Sequence, residues 1–271
     1  MNEEILKLLY NYSINSKYAD QDFYDELLII FSKYNSLSEY LMQIKIDNKI
    51  KDLGIYDYKS KTIKINNIEV LNNSDQEIEL LSLRNIDEFF LLNIEAILTV
   101  LHEFEHVYQS FIVDRRVFNL EEQLIYYGLA FSNASILAKF FGTKYTKEEL
   151  NYLYDLTYEF NPIERLADIN SYKNILQIIN YENKINNRIK FLLKYLYEKN
   201  KLSGYKIIQS KIECPSYLYF KKLNKLADIK NISFNSSNNS LNYRLSLGIE
   251  ITEEEFNETK NNIQKLKKKI L

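Results

Sequence analysis

Apolar residues recur at three- and four-residue spacing between positions 3 and 45, as in Ile5, Leu8 and Leu9, which predicts helix in two or three pieces. The pattern changes at Gly54. Ile55, Tyr56 and Asp57 lead into the polar Tyr58-Lys59-Ser60-Lys61, and Thr62, Ile63, Lys64 and Ile65 follow. β-Branched residues around a polar turn predict a hairpin. Helical spacing returns near 86 and runs to 113 without Gly or Pro, and further helices are expected over 120–140, 147–158, 162–180 and 184–199. Thr146 with Glu149 forms a capping-box start for one of them. Gly204 ends this helical block. Residues 205–250 read as mixed structure, with a polar loop at 235–240. A last amphipathic helix is expected from Thr252, capped by Glu255, and its closing lysines at 265–269 suit the negative end of a helix dipole. The expected fold is therefore α+β and mostly α-helical, with a small β-hairpin or sheet before a long helix and a helical block after it. Three stretches are distinguished, 1–85, 86–200 and 201–271, expected to form one compact unit.

Composition narrows the functional classes. Of 271 residues, 46% are hydrophobic and 14% aromatic, which excludes a disordered chain and suffices for one or two domains. Lys and Arg number 35 against 37 Asp and Glu, so no global field attracts nucleic acid or an anionic membrane, and neither is expected as a partner. The basic tail reads as a solvated helix end. The single cysteine, Cys214, excludes an internal disulfide framework and fits a reducing compartment. The most apolar run, 89–101, is interrupted by Asn93 and Glu95 and falls short of the roughly 20 residues a membrane helix needs. Met1-Asn2-Glu3-Glu4 lacks the basic start of a secretory signal, so a cytoplasmic location is expected. The excess of Asn, Ile, Lys and Tyr suits an AT-rich genome.

Both histidines of the chain fall in His102-Glu103-Phe104-Glu105-His106. On a helix, residues four apart share a face with Cβ atoms about 5–6 Å apart, so two imidazoles can grip one metal ion. Glu103 stands beside them, where it can take a proton from a water made acidic by the metal. Ile97, Leu101, Phe104 and Tyr108 form the expected apolar stripe, with Thr99 and Glu95 on the histidine side.

Catalytic zinc usually takes three protein ligands. With no third histidine, the third must be a carboxylate or Cys214. The best-placed carboxylate follows Asn161-Pro162, a helix-start signal: Glu164, with Asp168 one turn later. Glu164 can ligate, and Asp168 can accept a hydrogen bond from the second ring nitrogen of a ligand histidine. Glu164 could instead close a capping box on Asn161, and Asp168 could pair with Arg165. Glu121, Glu122 and Glu159 compete as ligands but lack the paired aspartate. Cys214 reads as a small buried side chain.

His102-Glu103-x-x-His106 followed by Glu164-x-x-Ala167-Asp168 resembles the gluzincin group of zinc metallopeptidases. The resemblance covers about 70 residues and implies a zincin-like fold and one zinc ion per chain. It implies His102, His106 and Glu164 as ligands, Glu103 as general base, Asp168 behind a ligand histidine, and a peptide or protein substrate. The 58 positions from His106 to Glu164 exceed the gap in compact members. The chain is similar only in the first motif to cytoplasmic peptidases that cleave phage repressors. It departs from peptide deformylases, whose ligand cysteine lies upstream of the histidines. An oxyanion donor would be Tyr or Arg, with Tyr172, Tyr205, Tyr217, Tyr219 and Arg244 as the options. The function expected is zinc-dependent peptide hydrolysis. The alternative is an inactive or regulatory zincin-like protein with structural zinc.

Overall fold

The computed structural model describes residues 1–72, 88–115, 162–182, 185–207, 249–251 and 253–270. These residues are mostly helical, with a three-stranded sheet ahead of the long helix. The elements in chain order are α1 (Asn2–Ile14), α2 (Gln21–Tyr34), β1 (Gln43–Ile46), β2 (Gly54–Asp57), β3 (Thr62–Ile65), α3 (Glu88–Arg115), α4 (Pro162–Asn180), α5 (Asn187–Gly204), β4 (Tyr205–Ile207), β5 (Ile249–Ile251) and α6 (Glu253–Ile270). The helices expected over 120–140 and 147–158, the Thr146 cap, Cys214 and the 235–240 loop lie outside the described residues. Among those residues, no helix is long and apolar enough to cross a membrane.

The chain divides into two compact units. The first holds Met1–Phe111, Asn170–Tyr197 and Gln264–Leu271; the second holds Ile112–Ile169 and Glu198–Ile263. In the second, β4 pairs parallel with β5, Tyr205 opposite Ile249.

The first unit begins with two helices, the second of which carries a side-chain cap. Asp20 starts α2: its Oδ1 accepts from Phe23 N at 3.0 Å and from the Tyr12 hydroxyl at 2.7 Å, tying α1 to the cap. The sheet order is β1-β3-β2. β2 and β3 are antiparallel around the 58–61 turn, as the sequence predicts, with Ile55 opposite Lys64. Helix is expected up to residue 45, but Gln43–Ile46 is a strand, parallel to β3 and in register Ile44 to Ile63 and Ile46 to Ile65. The physical reason is a period-two signal inside a longer apolar run. Gln-Ile-Lys-Ile matches Thr-Ile-Lys-Ile, so both strands turn their isoleucines to one face. Ile44, Ile63 and Ile65 are completely buried there. The Gln21 side chain donates to Ile44 O at 2.8 Å and accepts from Ile46 N at 3.1 Å, which satisfies the β1 edge from α2.

α3 is the centre of this unit. Its 28 residues span about 42 Å. The single apolar stripe expected for it is corrected: every residue from Phe90 to Leu101 is buried, while Tyr108, placed on the stripe, is exposed. A helix covered on all sides needs apolar residues all round. Tyr10 packs on Phe90 (5.4 Å between centroids), Phe31 on Phe104 (4.7 Å) and Tyr40 on Phe111 (5.5 Å). Burial also claims the polar residues inside the run. Asn93 donates from Nδ2 to Lys17 O at 3.0 Å, and Thr99 Oγ1 donates to Glu95 O at 3.0 Å.

Candidate metal centre

His102 and His106 emerge where α3 leaves its fully buried stretch, and both are half-buried. Four-residue spacing on a continuous helix stacks them one turn apart, with ring centroids 5.0 Å apart and planes at 79°. Their Nε2 atoms lie 3.2 Å from each other. Two nitrogens at 2.0–2.1 Å from one tetrahedral zinc would be separated by about 3.4 Å. The pair is therefore spaced for a shared ion without repacking the helix.

Gln109 faces the Nδ1 side of His106. It sits one turn further along α3, is wholly buried, and its Oε1 lies 2.8 Å from His106 Nδ1. With the amide oxygen toward the ring, this contact fits a proton on Nδ1 and a lone pair on Nε2. That lone pair faces His102. Sequence reasoning assigned the partner of a ligand histidine to Asp168 and did not find Gln109. The signal was present as His106-x-x-Gln109, an i,i+3 pair on one helix.

Glu103 is buried at 6% exposure and lies under the start of β2, against Gly54. Glu105 accepts from Asn170 Nδ2 at 3.2 Å, which fixes α3 to α4 within the first unit.

Glu164 and Asp168 occupy the first two turns of α4, which starts at Pro162 as expected, and both are half-buried. Glu164 and Asp168 belong to the second unit, and His102 and His106 to the first. The ring of Tyr172 packs on the core of the first unit. Glu121, Glu122, Glu159, Tyr217, Tyr219 and Arg244 lie outside the described residues.

The chain matches no known protein family, no curated protein and no solved structure.

Proposed function

We propose that this chain is a zinc metallopeptidase that binds one zinc ion per chain through His102, His106 and Glu164 and uses Glu103 as its general base. The supporting observation is the histidine pair, with Nε2 atoms 3.2 Å apart and Gln109 Oε1 2.8 Å from Nδ1 of His106. Zinc held there would supply a Lewis acid that polarises a peptide carbonyl and lowers the pKa of a bound water to about 7. Glu103 accepts the proton of the attacking water and returns it to the leaving amine, so the carboxylate is regenerated each turn. Burial of Glu103 keeps that carboxylate out of bulk water. Gln109 serves His106, which leaves His102 as the ring for Asp168 to orient. The proposed substrate is a peptide or protein and the proposed setting is the cytoplasm.

The test is zinc per chain in protein purified without added metal, with cleavage of a mixed peptide library. One zinc per chain and cleavage stopped by a chelator are expected. Glu103→Gln should abolish cleavage and keep the zinc. Cleavage by that variant would remove Glu103 from the reaction, and zinc without any cleavage by the unaltered chain would favour a regulatory protein with structural zinc.

A further inference from the structure

We propose that Gly54 is a positioning residue for Glu103: the side chain it lacks is the space in which the Glu103 carboxylate is held. The part given to Glu103 rests on the peptidase reading; the packing does not. Gly54 opens β2, and its φ lies outside the left-handed region, so glycine is not needed there for conformation. It is needed for room. A Cβ at this position would stand 2.9 Å from Glu103 Cγ, 2.9 Å from Thr99 Cγ2 and 3.1 Å from Glu103 Oε1. Glycine inside a strand weakens it and marks places where another group approaches closely.

Two of the groups around that space cannot yield. The strand backbone is fixed by the Gly54–Ile65 pairing and by Asn66 N donating to Leu53 O at 2.9 Å. Thr99 is β-branched and buried, and its Oγ1 is committed to Glu95 O at 3.0 Å, so its methyl cannot rotate away without losing that bond. Glu103 has the freer torsions, so an added methyl displaces Glu103. A general base works only within hydrogen-bond reach of its proton, and a misplacement of about 1 Å costs on the order of a hundredfold in rate.

The test has two arms. In metal-free protein, the fall in melting temperature caused by Gly54→Ala is measured with Glu103 present and in a Glu103→Ala background, where Cγ and Oε1 are gone. A fall of several degrees that shrinks to less than half in the second background is expected. Equal falls in both would overturn the proposal. The second arm uses Gly54→Ala/Thr99→Ser, which removes the methyl clash and leaves the Glu103 contact. The expected result is one zinc per chain, KM within about twofold and kcat lowered at least about tenfold. Unchanged kcat, or loss of zinc together with activity, would overturn it. Absence of cleavage by the unaltered chain would fell the peptidase reading alone, because the melting arm reports on Gly54 and Glu103 without it.

Discussion

Gln109 is wholly buried and spends its carbonyl on His106, yet carries no charge. An amide orients the ring without adding the negative charge that makes a carboxylate-backed imidazole a stronger ligand. Gln109→Ala should therefore weaken zinc binding ten- to a hundredfold, roughly, by freeing the tautomer and ring angle. Gln109→Glu should tighten it. Competition against a chromophoric chelator reads both, and equal affinities in all three proteins would detach Gln109 from the site. At this scale the sequence is legible where covalent spacing settles geometry. His102 and His106 face one point because a helix turns once in 3.6 residues. Gln109 is equally local, but no short motif contains it. Gly54 lies far along the chain from Glu103, and only the packing of β2 on α3 brings them together.

Asp57 and Lys64 join the two strands of the hairpin at 2.9 Å, as a diagonal pair two residues off direct opposition. Hydrogen bonding from Lys64, then from Ser60, holds the Asp57 carboxyl well below the usual carboxylate range. A carboxylate whose pKa is lower folded than unfolded stabilises the fold above its unfolded pKa, about 3.9, and loses that contribution as pH falls toward the lowered value. Asp57→Asn should thus lower the melting temperature at pH 7, and the difference from the unaltered chain should narrow below about pH 4. A difference independent of pH would assign it to the turn, where Asp57 Oδ1 also accepts from Lys59 N and Ser60 N. The hairpin itself was readable, because its strands and polar turn are contiguous. β1 was not. Its four residues follow a helical stretch, and what makes them a strand is a parallel partner beyond the hairpin turn. The burial of α3 on all sides was hidden for the same reason, since its covering rings come from α1, α2 and the residues after α2.

The first unit is closed by the far end of the chain. The lysine run, which the pattern predicts as a solvated helix end, is exposed at Lys267, Lys268 and Lys269. On either side of them Leu266 and Ile270 are buried, at 6% and 1% exposure, and Ile270 belongs to the core that also contains Ile5 and Val107. Arg188 of α5 donates from Nε and Nη2 to the Ile270 carbonyl at 3.1 and 2.7 Å, satisfying an acceptor that the end of α6 leaves open. Lys269 stands 4.9 Å over the Phe191 ring. These partners are some 82 positions away, so nothing in the local pattern announces them. Burial of each of the two apolar side chains contributes about 1.5–3 kcal/mol, a large share of the 5–15 kcal/mol by which folded domains are usually stable. Deleting Gln264–Leu271 should therefore lower the melting temperature sharply, by roughly 6–24 °C at about 2–4 °C per kcal/mol, with the loss of Arg188's acceptor adding to it. Lys267→Ala/Lys268→Ala, which changes only exposed side chains, should stay within about 1 kcal/mol of the unaltered chain. A truncated chain as stable as the full one would mean that α3 and its histidines hold their place without the final turns. A large fall would mean that the candidate metal centre depends on residues at the opposite end of the sequence.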